Sequence, residues 1–179
     1  MPPESLHIPA IPGEFTIGPG QWADYLALER FHYCPTRPAT CAGVWTIRHR
    51  RSFDQPTRPV AVAVLSYPAP RGRFRQMMMR DLTADDERQL AFANAHLRTI
   101  SRVIVHPQFR GIGLATILVR CVLRDCPTRF VEAIARMGHV HPFFERAGMV
   151  RIDSHQPNRP AHFLFDRQLM SPTHDTPHA

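Results

Sequence analysis

One stretch combines residue types that chemistry can use. It runs Val103, Ile104, Val105, His106, Pro107, Gln108, Phe109, Arg110, Gly111, Ile112, Gly113, Leu114, Ala115. A β-branched run ends at a proline that cannot extend a ladder. Two glycines then lead into an apolar stretch at helical spacing. The first N–H groups of a helix have no partner within the helix, and the helix dipole adds partial positive charge there. Gly111 and Gly113 remove side chains, so an anion can approach the backbone. Arg110 beside them can add a planar charged fork. The pattern predicts a cradle for a pyrophosphate. A Walker-type phosphate loop is excluded, because that loop needs a lysine and all 22 basic residues of this chain are arginine.

Other side chains could act beside such a cradle. Glu132 lies in the next apolar run, residues 130–135, and is the carboxylate placed to take a proton; its bland alternative is an ion pair with one of many arginines. His139 and His141 precede a short helical pattern that begins at Pro142, and His32 and Tyr33 close the first one. Each is a candidate acid or base, and each histidine could equally bond backbone in a loop. His32 with His106, His139 or His141 has no ligand spacing that demands a metal. Cys34, Cys41, Cys121 and Cys126 form no Cys-x-x-Cys pair. They predict neither a zinc site nor a disulfide framework, which fits a reducing cytoplasm.

These residues need a scaffold, and 179 residues with 44% hydrophobic content suit one ordinary domain. No apolar run nears the ~20 residues that cross a membrane, and the first residues lack the basic-then-apolar order of a secretory signal. The formal charge of +7 suits an anionic cofactor or a nucleic acid. The lysine-free composition, with 18 prolines, matches a GC-rich coding bias. Residues 1–13 read as an irregular leader, 14–169 as the domain and 170–179 as a tail. Strands are predicted over 14–17, 41–47, 60–67, 100–105, 130–135 and 162–165. Helices are predicted over 22–31, 83–97, 113–123 and 142–147, with Thr83 as a cap. The loop before the second helix carries Arg71, Arg73, Arg75 and Arg80. The reading is a mixed α/β (α+β) domain.

The chain resembles the GNAT acyltransferase superfamily, whose cofactor motif is R/Q-x-x-G-x-G/A between its fourth strand and third helix. Arg110, Gly111, Ile112, Gly113, Leu114 and Ala115 fit that motif. The likeness continues through the 130–135 strand and the run Pro142, Phe143, Phe144, Glu145, Arg146, Ala147, Gly148. It implies a mainly antiparallel central sheet with splayed fourth and fifth strands, flanked by helices. It implies acetyl-CoA or another acyl-CoA held by residues 110–115, with the backbone around Val103, Ile104 and Val105 against the pantetheine. It implies an N-acetyltransferase acting on an amine, small or macromolecular, and leaves open a homodimer. Many members carry a tyrosine acid four residues before the glycine that ends their fourth helix; here that position is Phe144. The missing acid allows a non-catalytic acyl-CoA binder as one alternative. The His32–Tyr33 pair faintly resembles Mom-type DNA-modification transferases, so a nucleobase modifier or nucleic-acid binder is another.

Overall fold

The computed structural model describes residues 2–9, 11–34, 36–69, 86–138, 140–152 and 159–170. Eight strands among them form one sheet: β1 (Glu4–Leu6), β2 (Glu14–Pro19), β3 (Gly43–Arg50), β4 (Arg58–Ser66), β5 (Leu97–Val105), β6 (Phe130–Ala135), β7 (Val150–Arg151) and β8 (Ala161–Asp166). Their order is β1-β2-β3-β4-β5-β6-β8-β7. Every neighbouring pair is antiparallel except β5 with β6. The described helices are α1 (Trp22–Leu28), α2 (Asp86–His96), α3 (Leu114–Asp125), α4 (Phe143–Arg146) and α5 (Arg167–Met170), with 3-10 turns at Glu29–Phe31 and Pro107–Phe109.

β4 shows why the sheet sits at the centre. Val60 to Leu65 carries no polar side chain, the signature of a strand covered on both faces. Ala61, Ala63 and Leu65 join one core with Phe15, Ile17 and Ile47 and with Leu114, Leu118, Val119 and Val122 of α3. Val62 and Val64 join another with Tyr25 and Leu28 of α1. In α3 the buried residues Leu114, Leu118 and Val122 recur every four positions, so one stripe faces the sheet. Its far end is held by Arg167, which donates through Nη2 to the carbonyls of Leu123 (2.8 Å) and Cys126 and through Nη1 to that of Arg124 (3.3 Å). Those are carbonyls that a helix terminus leaves unpaired.

Several elements depart from the sequence reading. The leader contains β1, paired antiparallel with β2 and tied to α3 by the Arg124–Glu4 ion pair at 2.9 Å. Three residues among prolines give no periodicity to read. β7 has two residues and α5 four, both below the length of a pattern. The helix predicted over 83–97 is described as α2 from Asp86 to His96. Thr83, the arginines at 71, 73, 75 and 80, and residues 171–179 lie outside the described residues.

α1 is fixed by one carboxylate. Asp24 Oδ2 accepts from the Gln21 backbone N–H (2.7 Å), the Thr46 hydroxyl (3.2 Å) and Arg48 Nη2 (2.5 Å). Gly20 allows that closeness, since a Cβ there would meet Thr46 Oγ1 at 2.0 Å. Asp24→Ala strips the N-terminal partner from α1 and leaves Arg48 unpaired in a half-buried setting. It is expected to cost about 2 to 4 kcal/mol, read as a fall in urea midpoint with an unchanged slope.

Candidate active site

The site begins where two parallel strands part. β5 pairs with β6 only from Leu97 opposite Phe130 to Ile100 opposite Ala133. β5 then runs on to Val105 beside β4 alone. A register shift against β4 falls between Val64 and Leu65, which pair with Arg102 and Ile100, so Ser101 is the extra residue. Such a bulge bends its strand and raises the local twist. The Ser101 hydroxyl donates to the Val64 carbonyl at 3.1 Å and lies 2.7 Å from Ser66 Oγ, which fixes the bulge.

The bulge also decides which backbone groups face the opening. The His106 N–H donates to the Val60 carbonyl at 2.8 Å. Hydrogen-bonded pairs alternate along an antiparallel ladder, so Ile104 and Arg102 also turn their backbone groups toward β4. Val103 and Val105 turn theirs the other way, into the fork. The Val105 carbonyl accepts from Arg110 Nε at 3.1 Å, and Arg110 Nη2 reaches the Phe31 carbonyl at 3.2 Å. Arg110 thereby ties the end of β5 to the turn after α1. The sequence placed it only at the mouth of the cradle.

Below the fork lies the glycine turn. Gly111 and Gly113 have φ of +83° and +87°, a region that disfavours side chains. A Cβ on either would find nothing within 4 Å, so neither glycine is there to avoid a protein clash. The turn is an open backbone surface at the start of α3, where Gly113 precedes the first helical residue, Leu114. Leu114 is buried, Ile112 packs against the same core, and Ala115 is half-buried. Those side chains anchor the turn, and the first N–H groups of α3 have no partner within the helix.

On the sheet face opposite α3, Glu132 is only 5% exposed. Thr99 donates to its Oε1 at 2.6 Å. Burial raises the Glu132 carboxyl above its ordinary value, with the Thr99 bond opposing. Over the same face runs the segment after α1. His32 Nδ1 accepts from the Cys34 N–H at 3.1 Å, and its ring stacks on Tyr33 at 4.5 Å. Burial holds the His32 pKa below its usual value, with repulsion from Arg102 adding to it. Arg102 fixes this segment through a 2.6 Å bond from Nη2 to the Thr36 carbonyl.

The sequence candidates therefore separate. Glu132, His32 and Tyr33 belong to the fork's open face. His141 is exposed before α4, its N–H bonded to the Met137 carbonyl at 3.0 Å. His139 lies outside the described residues. Phe144 is buried against Phe143 and Phe163 at 4.3 and 5.1 Å. Thr99, Ser101 and Arg102 were not anticipated. Thr99 was findable from parallel pairing of the two strands, whereas the bulge leaves no sequence signal. Among the described residues no group of three His, Cys, Asp or Glu is placed to hold a metal, and no helix is long and apolar enough to cross a membrane.

No family model matches the sequence, and no curated protein sequence matches it. Solved structures do match in fold. NAA60 of Arabidopsis thaliana in complex with acetyl-CoA aligns with a TM-score of 0.57 at 15% identity, over 84% of this chain and 97% of that one. AAC(6')-Ib in complex with paromomycin and acetyl-CoA aligns at 0.54 and 15% identity, over 90% and 98%. A KacTA–DNA complex aligns at 0.50 and 15% identity, over 87% and 94%. The chain has the GNAT fold of these acetyltransferase structures, with the mainly antiparallel sheet and parted strands that the resemblance implied. At such identities the likeness is one of fold.

The four cysteines are free and differ sharply in environment. The Thr36 hydroxyl, 3.1 Å from Cys34 Sγ, lowers the Cys34 pKa, with its backbone and the charges of Arg102 and Arg136 adding to it. Burial, then the Asp125 carboxylate, pushes Cys121 up to about 12. Iodoacetamide labelling of the folded protein across pH, followed by peptide mass mapping, should modify Cys34 at a lower pH than an unstructured cysteine. Cys121 should remain unmodified through pH 9 and react on unfolding.

Proposed function

We propose that the protein is an acyl-CoA-dependent N-acyltransferase that transfers acetyl from acetyl-CoA to a primary amine. The observation that carries this reading is the fork with an open, side-chain-free helix start at its base. The N–H groups from Gly111 to Ala115 suit a pyrophosphate. The backbone of Val103 and the Val105 N–H, which turn away from β4 into the fork, suit the pantetheine amides and can polarise an acyl oxygen. Acetyl-CoA would supply the activated acyl group.

The chain's own contribution is proton handling and positioning. Glu132 fits the base: its raised pKa brings it nearer neutrality, as a general base requires. Thr99 occupies Oε1 and leaves Oε2 for the proton of the incoming amine. Phe144 has no proton to give and faces the core, so it is not the acid. His141, exposed before α4, is the candidate in that region for protonating the leaving thiolate.

A nucleic-acid partner is the second reading. It is supported by Tyr33, 61% exposed and stacked on His32 in the manner of a platform for a base, and by the charge of +7. Fluorescence anisotropy of duplex and single-stranded DNA against salt would test it; no affinity at low salt removes it. Turnover of any amine removes a purely binding role.

Two variants test the main reading. Gly113→Val places a branched side chain where the cofactor would sit and forces an unfavourable φ. It should stay folded at a cost of about 1 to 2 kcal/mol and lose at least tenfold in CoA affinity by calorimetry; unchanged affinity would sink the cradle. Glu132→Gln keeps an acceptor for Thr99 and removes the titration. The raised pKa means the parent's stability is full below the unfolded value near 4.3 and falls as pH rises through the folded value. The variant should therefore melt higher than the parent in alkaline buffer, with little difference near pH 4. Its turnover should fall about 100-fold or more.

A further inference from the structure

Two arginines stand on the open face of the fork, and no described carboxylate pairs with either. Arg102 follows the bulge on β5. Its Nη1 donates to the Ser101 carbonyl and its Nη2 to the Thr36 carbonyl, both at 2.6 Å, while its Nε is buried and unpartnered. Among the described residues its acceptors are these carbonyls and, at 3.5 Å, the Thr36 hydroxyl. Arg136 follows Ala135, the last residue of β6, and is exposed. The two thus flank the opening from the diverging ends of its strands. Both charges help to lower the pKa of the Cys34 thiol, in keeping with that placement. The His32 ring nearby is held toward its neutral form, so the positive charge there belongs to the arginines.

Deeper in the same face lies Glu132, the group that would receive the amine. Within the parallel register Glu132 sits opposite Thr99, on the paired side of the split, and the arginines lie beyond it. The face therefore presents a carboxylate at its inner end and guanidinium charge at its outer end. A polycationic amine would leave the inner carboxylate satisfied and meet repulsion at the mouth. An amine with an acidic group would satisfy both ends. Glu132 and Arg136 are four residues apart, about 13 Å along a strand. Arginine's long stem can cover part of that span, which places the acidic group several bonds from the nitrogen.

We propose that the acceptor is a small amine that also carries an oxyanion, carboxylate or phosphate, and that Arg136, backed by the fixed charge of Arg102, selects it. The inference rests on the N-acyltransferase reading. Arg136 supplies the movable fork, able to bind either oxyanion through two parallel bonds. Arg102 is pinned and supplies field.

The test uses the full chain and matched probes: 4-aminobutyrate against butylamine, 6-aminohexanoate against hexylamine, and O-phosphoethanolamine against ethanolamine. Both kcat/KM with acetyl-CoA and equilibrium binding in the presence of CoA are measured, for the parent and for Arg136→Gln. The acid-bearing member of at least one pair should be preferred tenfold or more. The carboxylate and phosphate pairs tell the two sources apart. Arg136→Gln should reduce that preference at least tenfold, mainly through KM, and Arg136→Lys should restore part of it. Equal use of both members, preference for the neutral ones, or an equal loss on both in Arg136→Gln overturns the proposal and leaves the acyltransferase reading standing. Failure of every acid-bearing probe to bind overturns the proposal as well. Failure of CoA itself to bind strikes the acyltransferase reading instead. Duplex DNA binding that Arg136→Gln abolishes would assign the arginines to a polyanion and overturn the proposal.

Discussion

The architecture depends on a hydrogen-bond ladder that stops early. Parallel pairing of β5 with β6 ends at Ile100 and Ala133, although both strands continue. Had the ladder run its full length, the Val103 and Val105 backbone groups would be consumed by β6. The bulge at Ser101 prevents this by turning β5 out of register with its own beginning. Two serine hydroxyls hold the distortion, and β4, buried on both faces, gives it a rigid back wall. The polar backbone left open, at Val103 and at the Val105 N–H, is an exception to the rule that such groups are paired, and the proposed acyltransferase reading rests on it.

The second organising element is the arginine side chain, and its use is mostly structural. Arg98, Arg102, Arg110, Arg120 and Arg167 all donate to main-chain carbonyls. Several grip two carbonyls at once, which a planar fork does well. Those of Arg98 are local, but others link segments far apart in sequence: Arg110 joins β5 to the turn after α1, and Arg120 joins α3 to the end of α4. Exposed ion pairs such as Arg124–Glu4 at 2.9 Å add little by comparison. Whatever the source of the arginine excess, the fold makes particular positions depend on the shape of that side chain.

Much of this was legible in the chain. The β-branched run before Pro107, the two glycines and the apolar stripe of α3 each obey a local rule, so the cradle could be read without any partner strand. Glu132 and Phe144 were placed on the correct elements for the same reason. What escaped was set by tertiary contact. β1 exists because β2 and Glu4's ion pair with Arg124 accept it. The bulge follows from how β5 must meet β4. Arg102 and Arg136 look like two surface charges among many until the strands carrying them are seen to diverge. The bonds of Arg110 to the Val105 and Phe31 carbonyls also escaped, because sequence proximity to the glycines says nothing of where a long side chain lands.

α3 behaves mechanically as a strut. Its twelve residues span about 18 Å, with the cradle at one tip and the Arg167 guanidinium gripping the carbonyls at the other. A rod braced at both tips, by Arg167 at one and by buried Leu114 at the other, carries a tilt at its far end along its whole length. The alignment of the cradle with the fork is thus governed in part by a residue that follows the last strand, more than fifty positions downstream of the glycines. Changes around Asp166 and Arg167 would act on the glycine turn through leverage rather than through contact.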